Sequence, residues 1–368
     1  MFCYPPRRQV CVGKVKIGGG ALITIQTMTK TDTRDVAATV AQILSLEQAG
    51  CDIVRVAVPD MKAASVLGQI KSQIGIALVA DVHFDHRLAL EAIRQGVDKL
   101  RLNPGNIRKQ GKVEQIVKAA AEKGIPIRVG ANAGSLPPDV EEKHRDDLMT
   151  AHGQAAAMVE AALGQVTILE GMGFGDIVVS MKSFDVPATV RAYQMMGMER
   201  DYPLHIGITE AGLPPAGVIR SAVGIGVLLA QGLGDTVRVS LTADPVEEVR
   251  AGREILSSLQ LRRAGITLIA CPTCGRCEID IVALARQVEE RLADLDGALS
   301  REGRSIRVAL MGCVVNGPGE ARGADVGIAG GRDKAIVYRH GQQMRVVPAQ
   351  DLLAVIVEEV TLVAGCSE

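Results

Sequence analysis

Residues 52–82 of the chain read DIVRVAVPDMKAASVLGQIKSQIGIALVADV. The run at residues 52–59 and the run that begins at residue 77 are short and rich in β-branched residues, which predicts two strands. The stretch between them is rich in Ala and Leu with an amphipathic spacing, which predicts a helix. A helix between two strands is the usual connection of a parallel pair, so this stretch predicts one β/α unit.

The same unit recurs along the first two thirds of the chain, at intervals of roughly 25–30 residues. The predicted strands are residues 23–29, 52–59, 77–84, 99–104, 125–132, 176–183, 204–210 and 236–242. Eight such units predict a (β/α)8 TIM-type barrel, with a doubly wound open sheet as the alternative. Residues 133–150 are polar, contain two adjacent prolines and break the period, so we expect an inserted loop there.

Length and composition set the remaining limits. The 368 residues are enough for a barrel substrate-binding domain at residues 1–262 and a smaller domain at residues 263–368. An aromatic content of 2% without Trp argues against a platform for stacked bases, and a net charge of −1 gives no overall field to attract nucleic acid or a membrane. We find no signal peptide and no apolar run long enough to span a bilayer, and therefore expect a cytoplasmic protein.

Charged and polar side chains gather where the predicted strands end, which is where barrels bind their ligands. They are Arg55, Asp81, His83, Arg101, Asn103, Arg128, Asn132, Lys182, His205, Thr209, Glu210, Arg238 and Ser240. Most pairs on one strand are separated by even steps, so their side chains share a face. Five cations against two carboxylates would repel one another unless an anion compensates, which predicts a multiply charged ligand such as a diphosphate. A single charged residue at a strand end is also typical of a solvated rim, and either histidine could instead be a hydrogen-bonded core residue.

Four of the eight cysteines lie between residues 271 and 313. Residues 271–277 read CPTCGRC, and residues 311–320 read MGCVVNGPGE, each after a predicted strand of a small α+β domain. Thiolates at this spacing, closed by one from a distant loop, are typical of an iron–sulfur or zinc centre in a reducing compartment. The glycines of the second loop favour an iron–sulfur cluster. Spacing alone leaves open which of Cys271, Cys274, Cys277 and Cys313 are ligands.

The chain resembles the 4-hydroxy-3-methylbut-2-enyl diphosphate synthases of the methylerythritol phosphate pathway. The motifs CPTCGR and GCVVNGPGEA carry the resemblance, together with ordered blocks such as VADVHFD, LRLNPGNI, SMKSFD and LHIGITEAG. The resemblance implies reductive ring opening of 2-C-methyl-D-erythritol 2,4-cyclodiphosphate through a 4Fe-4S cluster, with electrons from reduced flavodoxin or ferredoxin. It also implies a head-to-tail homodimer in which one subunit's cluster domain serves the other's barrel.

The resemblance assigns roles residue by residue. The cluster ligands it implies are Cys271, Cys274, Cys313 and Glu320, whereas Cys277 departs from the family pattern. The diphosphate ligands it implies are Arg55, Arg101, Arg128, Asn132, Lys182, Arg238 and Ser240, with Asp81, His83 and Asn103 also expected at the substrate. Glu210 is the expected proton donor, with Thr209 and His205 as further catalytic candidates.

Two alternatives remain open from the sequence. One is a barrel lyase or isomerase that acts on a sugar phosphate and carries a structural zinc domain. The other is an electron carrier whose barrel only serves as a docking scaffold.

Overall fold

The computed structural model describes residues 4–83, 85–102, 110–263, 265–313, 315 and 317–365. The chain divides into two compact units, Met1–Arg262 and Arg263–Glu368.

The first unit is a parallel eight-stranded barrel, as predicted from the recurring β/α unit. Its strands are β3 Thr24–Met28, β4 Ile53–Ala57, β5 Ala77–Asp81, β6 Lys99–Arg101, β7 Ile127–Asn132, β8 Ile177–Lys182, β9 His205–Ile206 and β10 Thr236–Val237. They follow the order β8-β7-β6-β5-β4-β3-β10-β9. A parallel bridge between Val179 and Leu204 joins β8 to β9, so the sheet closes on itself and the open-sheet alternative is wrong.

Helices alternate with these strands. They are α1 Val36–Gln48, α2 Met61–Ser65, α3 Leu67–Lys71, α4 His86–Arg94, α5 Gln110–Lys123, α6 Pro138–His144, α7 Ala151–Glu170, α8 Val186–Glu199, α9 Ala216–Ala230 and α10 Pro245–Ser258. Several begin at an aspartate whose carboxylate accepts a backbone N–H of the first turn, as Asp35, Asp85 and Asp185 do. No helix in the described part of the chain is long and apolar enough to cross a membrane.

A short hairpin precedes the barrel and was not predicted. Its strands are β1 Val10–Val12 and β2 Val15–Ile17, paired antiparallel. Val12 and Ile17 are fully buried and pack in one apolar cluster with residues of β4 and β5, including Ile53 and Ala77 at the first positions of those strands. The hairpin therefore covers the end of the barrel where the strands begin, and leaves the opposite end for a ligand.

The expectation of an inserted loop at residues 133–150 is wrong. A 3-10 turn at Ala133–Ser135 leads into α6, which has proline at its first helical position, where the missing N–H costs nothing. His144 at the end of α6 lies 2.8 Å from the Glu160 carboxylate of α7, measured from Nε2 to Oε2. The polar residues of this segment thus tie one short helix to the next one.

The second unit is a small α+β domain with a mixed sheet, as expected. Its strands are β11 Gly265–Ala270, β12 Ser305–Met311, β13 Val326–Gly330, β14 Lys334–Arg339 and β15 Gln342–Pro348, in that order. The first three run parallel and the last two antiparallel. Its helices are α11 Ile281–Glu302, α12 Gly317–Arg322 and α13 Leu352–Gly365, of which the short α12 was not predicted. Its apolar core joins the sheet to α11 and α13.

We predict that Gly130→Ala in β7 destabilises the barrel by about 3 kcal/mol or more. Gly130 has φ 156°, and a Cβ atom there would lie 1.9 Å from the backbone oxygen of Ser180 on β8. Because the obstacle is backbone of the neighbouring strand, it cannot move aside. Chemical denaturation measures the loss. Gly134→Ala, where an added Cβ meets nothing within 4 Å, is the matched control and should cost less than about 1 kcal/mol.

Candidate active site

Beyond the apolar cluster at the end where the strands begin, the barrel interior holds several buried charged side chains, where branched apolar residues are usual. Residues paired in register on parallel strands point to the same side of the sheet. Asp81 pairs with Arg101, Arg101 pairs with Arg128, and farther along β7 Asn132 pairs with Lys182. The strand register therefore brings side chains from β5 to β8 to one end of the barrel.

Asp81 is the acidic centre of this group and is only 7% exposed. Its Oδ2 lies 3.7 Å from Arg55 Nε, and its Oδ1 lies 3.3 Å both from Arg101 Nη1 and from His83 Nε2. Burial by itself raises the pKa of the Asp81 carboxyl, but Arg55, His83 and Arg101 together hold that pKa well below its ordinary value. An ionised Asp81 therefore orients two guanidinium groups toward the barrel mouth.

Arg128 and Lys182 are buried cations without a carboxylate partner among the described residues. Arg128 Nη1 donates a hydrogen bond of 2.6 Å to the Ser180 hydroxyl, and its Nε has no hydrogen-bond partner. Lys182 is 6% exposed, and no hydrogen bond to its ammonium group is found in the described part of the chain. Burial, followed by the charges of Arg128, Arg238 and Arg55, lowers the pKa of Lys182 well below its ordinary value. Cations held in this way are poised for an anion.

Arg238 reaches the same group from β10. Its Nε lies 3.7 Å from Glu248 Oε2 of α10, and Glu248 is itself buried. Glu248 also accepts a hydrogen bond of 2.5 Å from the Thr27 hydroxyl and one of 3.0 Å from the backbone N–H of Leu241. The helix carboxylate therefore fixes both the position of Arg238 and the loop after β10.

Arg55 shows how crowded the cations are. Its Nε and Nη2 lie 3.2 and 3.0 Å from the Met28 sulfur, a weak acceptor. Burial, with Arg238 and Arg101 adding to it, lowers the pKa of Arg55 to about 10, although Asp81 opposes the shift. Even this guanidinium stays charged at neutral pH, so the repulsion persists in the ligand-free barrel.

His205 is fully buried, and neither ring nitrogen has a hydrogen-bond partner. Burial, followed by the charges of Lys182 and Arg128, lowers the pKa of His205 well below its ordinary value, so the ring is neutral. Because unpaired buried polar atoms cost free energy, this ring is not the satisfied core histidine that we considered from the sequence.

The remaining candidates lie at the rim. Glu210 is exposed with φ 55°, and no ion pair joins it to a cation among the residues described. The backbone N–H of Thr209 donates to Ser183 O at 3.3 Å. Asn132 and Ser240 are half-buried. Asn103 lies outside the described residues.

Two charged groups inside the barrel were missed by the sequence analysis. Lys99 lies two residues before Arg101 and is fully buried in the same strand, so the even-step rule could have found it. Glu248 lies on a helix, and no strand pattern points to it. The carboxylates that balance the cations are thus Asp81 and Glu248, whereas Glu210 was expected in place of Glu248.

The thiol loops of the second unit follow the carboxyl ends of two neighbouring strands of its sheet. Cys271 directly follows β11 and its N–H donates to Leu310 O of β12 at 2.9 Å, while Cys313 follows β12 by two residues. Glu320 lies in α12, whose first residue follows the Cys313 loop. Cys271, Cys274 and Cys277 form no disulfide. Among the described residues, no three His, Cys, Asp or Glu side chains are grouped so as to hold one metal ion.

Cys277 differs from the other three thiols in its surroundings. Its Sγ donates to Ile279 O at 3.1 Å and packs against Gly312, where an added Cβ would lie 2.2 Å from that sulfur. Cys274 and Glu320 are exposed, Cys271 is partly buried and Cys313 is nearly buried. Three thiols and one carboxylate thus match an iron–sulfur cluster in donor chemistry, although they are not gathered into one group in this structure, and the Cys277 thiol has a backbone partner of its own.

A closed β/α barrel with a cationic mouth, joined to a thiol-bearing domain, defines an anion-binding enzyme with a candidate metal–sulfur centre. The GcpE TIM-barrel domain family matches residues 7–253, and the GcpE protein C-terminal domain family matches residues 267–362. The chain belongs to the GcpE family, whose curated relatives are 4-hydroxy-3-methylbut-2-en-1-yl diphosphate synthases, and is therefore an oxidoreductase. This assignment confirms the resemblance and overturns the zinc-tailed lyase and the electron-carrier alternatives.

Individual relatives agree. The 4-hydroxy-3-methylbut-2-en-1-yl diphosphate synthase (flavodoxin) of Geobacter sulfurreducens is 54% identical over 96% of each chain. The enzyme of the same name from Bacillus mycoides is 51% identical over 97% of this chain and 94% of its own. Among solved structures, a dihydropteroate synthase from Xanthomonas albilineans aligns with a TM-score of 0.46 at 14% identity, over 69% of this chain and 97% of its own. A match at that level has no bearing on the chemistry here.

Proposed function

We propose that this chain reduces 2-C-methyl-D-erythritol 2,4-cyclodiphosphate to 4-hydroxy-3-methylbut-2-enyl diphosphate in isoprenoid precursor synthesis, with a 4Fe-4S cluster as its redox centre. The cyclic dianion, two electrons and one proton give the linear trianion and one water. The relatives' shared name supports this reaction. The observation that carries the proposal is the buried group of cations at the mouth, which lacks enough carboxylates to be neutral without an anion.

The phosphates are bound by the groups that the strand ends supply. Arg101, oriented by Asp81, presents its fork toward the mouth, and Arg128 and Lys182 add buried donors behind it. Arg55, Arg238, Asn132 and Ser240 complete the set. His83 contacts Arg101 and, with Asn103, completes the proposed substrate contacts. As the ring opens, the newly released phosphate oxygen gains charge, which these same cations stabilise.

Glu210 is the proposed proton donor to the hydroxyl that leaves as water. Thr209 and His205 complete the proposed catalytic set. What supports the choice of Glu210 is its backbone, because a non-glycine residue at φ 55° is held in a costly conformation. Its exposed carboxyl can take a new proton from water after each turnover.

Cys271, Cys274, Cys313 and Glu320 are the proposed ligands of the cluster. When bound, the cluster would supply the two electrons, one at a time, from reduced flavodoxin, which the relatives' names specify. We propose that ferredoxin can replace flavodoxin. Thiolate ligands need a reducing compartment, so we place the enzyme in the cytoplasm.

Anaerobic turnover tests the proposal directly. The purified, oxygen-protected protein is supplied with the cyclic diphosphate and reduced flavodoxin, and the linear product is measured by mass spectrometry. We expect conversion only when substrate, reductant and cluster are all present. A protein without iron and sulfide, or an iron-loaded protein that leaves the cyclic diphosphate unchanged, would refute the proposal.

We also propose a head-to-tail homodimer, with one subunit's cluster domain serving its partner's barrel. Support comes from the family resemblance and from α9, whose exposed Ile219, Val223 and Val227 recur every fourth residue and form an apolar stripe suited to a second subunit.

Mixing two inactive variants tests this arrangement. Lys182→Met disables the barrel and Cys313→Ala disables the cluster domain. If the two domains work across subunits, a heterodimer of these variants has one site with both parts intact, and activity should return to about a quarter of wild type after random exchange. Each variant alone is the control. No recovery in a verified heterodimer would contradict the head-to-tail arrangement.

A further inference from the structure

Lys99 is a buried amine that the proposed reaction does not use. It is fully buried at the first position of β6, two residues before Arg101. Its Nζ donates to Gln26 Oε1 of β3 at 3.0 Å, and no carboxylate forms an ion pair with it within the described chain. An amide oxygen can accept a hydrogen bond from either a neutral amine or an ammonium ion. The local contacts of Lys99 therefore do not require it to be charged.

The groups that act on Lys99 from other strands of the barrel disfavour a further positive charge there. Arg128 of β7 and Arg55 of β4 are cations, and His205 of β9 is sensitive to the charge of Lys99. Gln26 of β3 is neutral, and Asp81 of β5 is already shared by Arg55 and Arg101. Burial, followed by Arg128 and Arg55, lowers the pKa of Lys99 well below its ordinary value.

Only some of the charged groups in the interior can change their protonation when a ligand binds. If all were ionised, the interior would hold Arg55, Arg101, Arg128, Lys182, Arg238 and Lys99 against only Asp81 and Glu248. A guanidinium group does not lose its proton in a protein, whereas a buried lysine readily does. Lys99 and Lys182 are thus the groups whose charge can follow the occupancy of the mouth.

We propose that Lys99 is neutral in the ligand-free barrel and takes up a proton when the cyclic diphosphate occupies the mouth, so that binding is linked to proton uptake. The inference rests on the proposed function. Lys99 acts through Arg55 and Arg128, whose charges the ligand neutralises, and is a positioning residue rather than a catalytic one. The added charge in turn strengthens the hold on the phosphates.

Other polar atoms of the barrel interior also lack a partner. Thr24 Oγ1, Gln26 Nε2, Thr236 Oγ1 and both ring nitrogens of His205 are buried without a hydrogen-bond partner. Thr236 pairs in register with both Thr24 and His205, so the side chains of these three residues lie in one layer. Buried polar atoms without a partner cost free energy, so this layer is unsatisfied in the ligand-free barrel.

The sign of the pH dependence follows from linkage. The anion raises the pKa of Lys99, so between its ligand-free and ligand-bound values the complex holds more protons than the separated partners. In that interval the Kd of the cyclic diphosphate rises up to tenfold per pH unit. Arginine at position 99 stays charged throughout, and methionine is never charged. Both variants should therefore lose the part of the pH dependence of Kd that comes from Lys99.

Calorimetry on the holoenzyme tests the inference. The cyclic diphosphate is titrated anaerobically into the oxidised protein at pH 8, in buffers of different ionisation enthalpy, and the slope of heat against that enthalpy counts protons. We expect the wild type to take up a measurable fraction of a proton, at most one from Lys99. Lys99→Met and Lys99→Arg should lose that uptake, and the Kd of Lys99→Met should approach that of the wild type as the pH rises. Lys118→Met, an exposed lysine of α5, is the control and should keep the uptake.

Two results would overturn the inference. One is wild-type binding without proton exchange, which needs no variant to interpret. The other is wild-type uptake retained in both Lys99 variants, which would make Lys182 or His205 the acceptor. Either result leaves turnover of the cyclic diphosphate intact, whereas failure to bind or convert that compound would refute the proposed function itself.

Discussion

Cys313→Ala is expected to abolish the iron–sulfur centre and with it all turnover. Cys313 is buried two residues after β12, and it is the sole described cysteine of the second loop. Removing it leaves two thiols from residues 271–274 and one exposed carboxylate, a donor set too weak to retain a cluster. The measurements are iron and sulfide content, broad visible absorption, and conversion of the cyclic diphosphate, all under anaerobic conditions.

Cys277→Ala is the matched control and should keep the cluster. The Cys277 thiol donates to Ile279 O and packs against Gly312, so its loss should cost only about 1 kcal/mol of stability. Far-ultraviolet circular dichroism would verify that both variants remain folded. Equal loss of iron in the two variants would mean that Cys277 is a ligand, and the ligand set proposed here would then be wrong.

Lys182→Met is expected to lower kcat/KM about a thousandfold while stabilising the ligand-free protein. The activity falls because a buried ammonium that contacts phosphate contributes about 4 kcal/mol. Stability rises by about 1–3 kcal/mol, because methionine fills a similar volume without placing an amine among Arg128, Arg55 and Arg238. The two measurements are steady-state kinetics and chemical denaturation.

Opposite changes in activity and stability are the signature of a functional cation and would not arise from a purely structural one. Lys143→Met provides the comparison, because Lys143 is an exposed lysine whose ion pair with Glu160 spans 2.9 Å. Lys143→Met should leave kcat/KM near the wild-type value and change the free energy of unfolding by no more than about 1 kcal/mol. A destabilised Lys182→Met protein with near-normal kcat/KM would show that Lys182 only supports the fold.

Much of the fold could be predicted because its signals are local. All eight barrel strands were expected in the right order, since a short β-branched run followed by an amphipathic stretch specifies each β/α unit on its own. The predicted secondary structure was wrong or incomplete where the local sequence pattern was misleading. The segment at residues 133–150 is polar, yet it forms α6 because its second proline suits a helix start. The hairpin β1–β2 is short, and its apolar residues become informative only against the ends of β4 and β5.

The candidate site could be predicted in part. Even spacing along a strand identified the faces that carry Arg101 and Arg128, because side chains alternate across a sheet, whereas Lys182 was found from its place at a strand end. The same rule applied one step earlier on β6 would have found Lys99. Glu210 was expected among the cations, but the turn after β9 leaves it exposed with positive φ, a conformation that no local pattern indicated.

By itself, the sequence determined the recurring β/α unit, the two thiol loops and the charged strand ends, because each depends on neighbours within a few residues. Only the tertiary structure decided which charges meet and how deeply they are buried. Closing the barrel places β10 beside β3 and β9 beside β8, and it folds Glu248 of α10 back onto Arg238. Desolvation and repulsion depend on those long-range distances, so the low pKa values of Lys99, Lys182 and His205 arise only in the closed barrel.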